Sequence, residues 1–143
     1  MAVKPVPDGY HTLTPYFIVS GADELLTFLK NAFGAEERVR MAAPDGSVGH
    51  AEVKIGGSVL MLADASGEWK PMPGMVHFYT EDTDAMYERA LKAGAASLRA
   101  PRDEFYGDRS AGVQDPAGNM WWIATHVEDV PPEEIARRAA AQG

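Results

Sequence analysis

The sequence predicts an α+β fold made of two β-α-β-β-β repeats, and three observations carry that expectation. Two amphipathic stretches, "ADELLTFLKNAFG" and "DTDAMYERALKAG", each follow a β-rich run and end on a glycine. Three short strand-like runs follow each of them, separated by turns rich in Gly, Pro and Asp. The halves also echo one another. "FGAEE" at 33–37 matches "AGAAS" at 93–97, an offset of 60, and "GGSVLML" at 56–62 matches "AGNMWWI" at 117–123, an offset of 61.

Each element has a local cause. Residues 1–10 carry Pro5, Pro7 and Gly9 and read as an extended arm. "TLTPYFIVS" (Thr12–Ser20) is rich in aromatic and β-branched residues and reads as a strand. In the helix that follows, Leu25, Phe28, Leu29, Ala32 and Phe33 share one face. Asp23 and Glu24 favour its first turn, and Gly34 ends it. Strands are expected at 36–42, 48–55 and 58–64, with turns at "APDG" and "GGS". "MVHFYTE" (75–81) opens the second repeat, and its helix is capped by Asp82 or Thr83 and ended by Gly94. Strands near 96–100, 109–114 and 119–126 complete it, the last two joined by "DPAG". "VPPEEIARRAAAQ" reads as a short helix begun by Pro132. The expected organisation is an arm (1–10), one domain (11–129, with repeats 11–65 and 74–127) and a helical tail (130–143).

Composition narrows the function. The chain has 143 residues, 45% hydrophobic and 24% charged, as expected of one globular domain. No apolar run approaches the ~20 residues of a membrane helix, and the N-terminus does not read as a signal peptide. There is no cysteine, which excludes disulfides and thiolate chemistry and fits a cytoplasmic protein. A net charge of −8 without a basic cluster argues against nucleic acid.

Trp121 and Trp122 are adjacent in a predicted strand, so they point to opposite faces. Trp121 shares parity with Ile123 and belongs in the core, which leaves Trp122 to the other face. It would serve there as a stacking platform, fill a dimer interface or plug a cleft. In "GHAEVKI", His50 and Glu52 share the polar face. They would act as a base and its orienting partner, or as two ligands of a metal site, or would simply stand in solvent. His77 and Tyr16 are candidates to bind a ligand or exchange a proton. Met61 and Met75 are expected at a pocket wall. In "DEFYGDR", Tyr106 is a candidate ligand contact. Arg109 would bind an anionic group or pair with Asp108 or Asp115. His126 and Glu128 are expected to anchor the C-terminal helix.

The phrases "TPYFIVSGADELLTFLKNAFGAEE", "GHAEVKIGGSVLMLAD" and "EFYGDRSAGVQDPAGNMWWIATHVEDVPPEE" resemble the vicinal oxygen chelate superfamily. More narrowly, they resemble its glyoxalase/bleomycin-resistance group and the PhnB-like branch of that group. The resemblance implies paired βαβββ units curling around a cleft, and commonly a homodimer. It also implies four metal-ligand positions, on the first and last strands of each repeat. These fall on Thr14, Met61, Met75 and Trp122, none of which suits a hard divalent ion. The expectation is therefore a small-molecule binder that uses no metal or other cofactor. It would hold a planar or aromatic ligand among Tyr16, Met61, Met75, His77, Tyr106, Arg109 and Trp122. The alternative is a lyase, isomerase or dioxygenase with a divalent metal displaced onto His50, Glu52 and His77.

Overall fold

The computed structural model describes residues 2–142, which form eight strands and three helices. The first repeat comprises β1 (Tyr16–Val19), α1 (Ala22–Phe33), β2 (Glu36–Ala42), β3 (Val48–Ile55) and β4 (Ser58–Asp64). The second comprises β5 (Met75–Tyr79), α2 (Thr83–Lys92), β6 (Ala96–Asp103), β7 (Asp108–Gln114) and β8 (Met120–His126), and α3 (Pro132–Ala141) follows. Each repeat folds its own four-stranded sheet, ordered β1-β4-β3-β2 and β5-β8-β7-β6. The first strand of each lies parallel to the last, and the other pairs are antiparallel.

β2, β3 and β4 occupy the residues that the turn signals demarcate. β1 is shorter than the expected 12–20. Proline has no N–H to give a ladder, and Pro15 contributes only its carbonyl, which accepts from Met61 N at 3.0 Å. β6 runs on to Asp103, because its ladder with β7 tolerates two irregularities between Ser97 and Arg102.

The duplication extends to how each helix is held. α1 starts after Gly21, which has no side chain to cap it. Asp64, ending β4, substitutes: its Oδ1 accepts from Ala22 N at 2.8 Å, and its Oδ2 accepts from Val48 N at 2.8 Å. In the second repeat Asp82 caps Ala85 N at 3.0 Å, and Thr125 Oγ1 in β8 accepts from Thr83 N at 3.1 Å. Asp64 and Thr125 are equivalent positions, so the last strand of each repeat satisfies the exposed N–H groups that begin its helix. Gly34 closes α1 in the left-handed conformation, at φ 67°.

The helix-facing sides of both sheets share one core. Phe17, Val19, Val53 and Leu62 enter it from the first sheet, and Ala111, Val113, Trp121 and Ile123 from the second. Phe33, at the end of α1, is the joint between repeats: its ring lies 4.9 Å from Trp121 and 5.0 Å from Phe78. Trp121 is buried as its parity requires, and its Nε1 donates to Asp115 Oδ2 at 2.8 Å. Asp115 also accepts from Ala117 N, Asn119 N and Asn119 Nδ2, while Asn119 Oδ1 accepts from Gly74 N. The "DPAGN" turn therefore fixes both the core indole and the entry to β5. Arg138 ties α3 down through Glu128 at 3.0 Å and the Phe105 carbonyl at 3.1 Å.

Candidate functional site

With one face of each sheet committed to the core, the opposite faces carry the candidate residues. Strand register lines these up in two rows. Across the first sheet the row is Val39, Glu52, Met61 and Tyr16. Across the second it is Arg99, Gly112, Trp122 and His77. The rows are equivalent under the duplication: Val39 corresponds to Arg99, Glu52 to Gly112, Met61 to Trp122 and Tyr16 to His77.

The second row answers where Trp122 goes. Where the first repeat has a carboxylate at Glu52, the second has Gly112, and the indole lies in the space so vacated. A β-carbon on Gly112 would stand 2.3 Å from Trp122 Cζ3, so only glycine allows the ring to rest on the strand. Trp122 Nε1 donates to Met75 Sδ at 3.1 Å, and the Arg99 guanidinium lies 5.6 Å from the ring centroid. Arg99 is steadied by the Ser110 carbonyl at 3.1 Å and by Glu104 at 3.2 Å. His77 packs edge-on against Tyr79 at 4.7 Å. Met75 and Tyr79 are 63% and 65% exposed, a degree of apolar exposure that marks an interaction surface when clustered.

The first row is polar. Glu52 is buried, and its two oxygens are both engaged: Oε1 accepts from Tyr10 Oη, and Oε2 pairs with His50 Nε2 at 2.7 Å. Tyr16 Oη meets the other imidazole nitrogen, His50 Nδ1, at 2.9 Å. The bonds from His50 and Tyr10 hold the Glu52 carboxyl below its ordinary pKa. Burial and then the Glu52 charge push the Tyr16 phenol up. His50 and Glu52 are thus not a solvated strand face. Tyr10 joins them from the end of the arm, a participant that no sequence periodicity marks.

Several expectations need correction. Thr14 precedes β1 and Met75 opens β5, while strand register sets Tyr16 opposite Met61 and His77 opposite Trp122. His77 stands in the other sheet from His50 and Glu52, and within one chain the three do not converge on a common point. Arg109 shares parity with Ala111 and Val113 and so lies on the helix side, away from Trp122. It is engaged there by Asp84 at 2.7 Å and Asp103 at 3.2 Å, not by Asp108 or Asp115. Tyr106 sits in the β6–β7 turn, against a cavity of about 370 Å³ shared with His126 and Ile135. Glu128 does anchor α3, whereas His126 bridges Asp108 and Asp129.

Within one chain, two separate cavities border the candidate residues. A cavity of about 560 Å³ takes Tyr16, Ile18, Ala63, Trp69 and Met72. Another of about 320 Å³, between the repeats, takes Leu60, Val76, His77, Tyr79 and Trp121. Neither holds both Tyr16 and Trp122. The positions that the resemblance implies, Thr14, Met61, Met75 and Trp122, offer a hydroxyl, two thioethers and an indole, and the register row Tyr16, Met61, His77 and Trp122 adds one phenol and one imidazole; neither donor set fits a hard divalent ion. Among the described residues, no three His, Asp or Glu side chains converge on a point where an ion would be held. No helix among them is long and apolar enough to cross a membrane.

Comparison with known proteins agrees with this architecture. The uncharacterized protein Mb0911c of Mycobacterium bovis is 34% identical over 154 residues, covering 100% of this chain and 99% of the relative. The crystal structure of TioX from Micromonospora sp. ML1 superposes with a TM-score of 0.70 at 23% identity, covering 82% of this chain and 99% of that one. A glyoxalase/bleomycin resistance protein/dioxygenase from Nocardioides superposes with a TM-score of 0.64 at 20% identity, covering 92% and 90%. At these identities the two structures establish the fold alone. The family profile for the Glyoxalase/Bleomycin resistance protein/Dioxygenase superfamily matches residues 10–123, and the chain belongs to that superfamily.

Proposed function

We propose that the protein binds a planar or aromatic small molecule, without a metal ion, on the open face of its second sheet. One observation carries this reading: the Trp122 indole lies flat on Gly112, in a position that a side chain at 112 would forbid. Met75, His77 and Tyr79 stand beside it as an apolar and aromatic rim. A flat indole, approached by the Arg99 guanidinium, suits stacking of a planar group rather than coordination. The net charge of −8 favours a cationic ligand over an anionic one. The wording around "DPAGNMWW" supports placement in the PhnB-like branch. The exposed apolar side chains of both faces support a homodimer in which a second copy completes each cleft, and sedimentation velocity tests that part.

The test is calorimetric titration of chelator-treated protein with planar heteroaromatic cations, beginning with proflavine. Stacking on an aromatic side chain contributes ~1–3 kcal/mol. Trp122→Ala should therefore weaken binding roughly 5- to 150-fold. Equal affinity in that variant would refute the reading. The metal-dependent alternative, a lyase, isomerase or dioxygenase, would have to free His50 and Glu52 from their bonds to each other and to Tyr16 and Tyr10, and within one chain these two do not converge with His77.

A further inference from the structure

We propose that the first sheet holds a second, separate ligand site, which recognises an ammonium or N–H group on an apolar or aromatic body through Tyr16 Oη and the Trp69 wall. It does not depend on the Trp122 platform, because it occupies the cavity of about 560 Å³ in the other repeat. That volume lies within the ~300–1,000 Å³ of small-molecule sites. Its wall is largely apolar, with Ile18, Ala63, Trp69 and Met72, and Trp69 and Met72 are 61% and 67% exposed.

The direction of the hydrogen-bond chain sets the specificity. Glu52 is a carboxylate and can only accept. Tyr10 Oη donates to one of its oxygens, so His50 Nε2 must carry the proton donated to the other. In the neutral imidazole, Nδ1 then holds a lone pair, and Tyr16 Oη donates to it across 2.9 Å. With His50 uncharged, the phenol proton is committed inward, and the lone pairs of Tyr16 Oη are the acceptor that this residue brings to the cavity it lines. The site therefore offers an acceptor and no free hydroxyl donor. Ligands bearing N–H or ammonium groups are matched. Carboxylates of the same shape are refused, because they would face an oxygen lone pair and the Glu52 charge behind it. Asp64, which also borders the cavity, adds negative charge while its oxygens hold α1 and β3.

The three tryptophans make the test specific, since each gives one indole N–H signal in a ¹⁵N–¹H correlation spectrum. The probes are 2-phenylethylamine and 3-phenylpropionate, similar bodies of opposite charge. The amine should shift the Trp69 signal and leave Trp122 in place, with the core Trp121 signal reporting an intact fold. Tyr16→Phe should weaken the amine about tenfold, the effect of losing one charge-assisted hydrogen bond. His50→Leu frees the Tyr16 proton to point into the cavity and should lower the amine-to-carboxylate preference. If Trp121 moves in that variant, Tyr16→Phe decides. Equal binding of the two probes by the wild type, no response at Trp69, or unchanged amine affinity in Tyr16→Phe would overturn the proposal. Failure of the Trp122 reading would appear separately, as an unmoved Trp122 signal with proflavine.

Discussion

Replacing Gly112 with alanine tests the Trp122 platform through its packing. The new β-carbon would lie 2.3 Å from Cζ3 and 2.7 Å from Cε3 and Cη2 of Trp122. Carbon atoms rest at about 3.5–4.0 Å, so the ring must lift by on the order of 1 Å and loses its support. Such overpacking costs ~1–3 kcal/mol. Against it, alanine within a strand gains roughly 0.5–1 kcal/mol over glycine from backbone entropy. The single variant should therefore be destabilised by ~1 kcal/mol net. In a Trp122→Ala background the clash is gone, and Gly112→Ala should instead stabilise by roughly 0.5–1 kcal/mol. The double-mutant cycle should then show a coupling of ~1–3 kcal/mol, measured by urea unfolding at constant slope. If Gly112→Ala has the same effect in both backgrounds, to within about 0.5 kcal/mol, the indole does not rest on Gly112 and the platform is refuted.

Three further outcomes follow from the geometry. Asp115→Ala strands several buried donors, among them Trp121 Nε1 and Asn119 Nδ2, each costing ~1–3 kcal/mol. It should lower the unfolding midpoint by many degrees, and a near-neutral melt would show that the turn is held otherwise. Bonds from Arg40 and then Lys30 lower the Glu37 carboxyl from 4.5 to about 2. Its contribution is therefore present above about pH 4.5 and lost as pH falls toward 2, so Glu37→Gln should flatten the acid limb of stability over that window. Asp108 and then Asp129 raise the His126 pKa above 6.5, so its contribution is full below that pH and lost as pH rises through the folded value. His126→Gln should remove this neutral-range slope in denaturation midpoints; an unchanged slope would assign it to another group.

The fold was legible because its signals are local. Turn residues delimit β2, β3 and β4, and period-two alternation separates Trp121 from Trp122. The echo between the halves identifies equivalent positions. The site was less legible because it depends on contacts distant in the chain. Tyr10 reaches Glu52 across 42 positions, and nothing in "VPDGYH" announces it. Arg109 lies on the helix side by the parity it shares with Ala111 and Val113, a face assignment available in the sequence. Its partner Asp84 is set by how α2 packs, which is not. β1 begins later than its β-rich run suggests, because Pro15 gives the ladder with β4 only a carbonyl. Gly112 carried a signal that could have been used: a glycine within an otherwise regular strand, opposite a tryptophan, indicates close approach.

The most direct test of the central claim is a calorimetric titration of proflavine into chelator-treated wild-type protein, repeated with Trp122→Ala and after adding back Zn, Ni, Mn or Fe(II). The account predicts saturable binding by the stripped wild type, weakened at least about fivefold by Trp122→Ala and unchanged by any of the four ions. Binding that appears only when an ion is restored, or that ignores the loss of the indole, would contradict it.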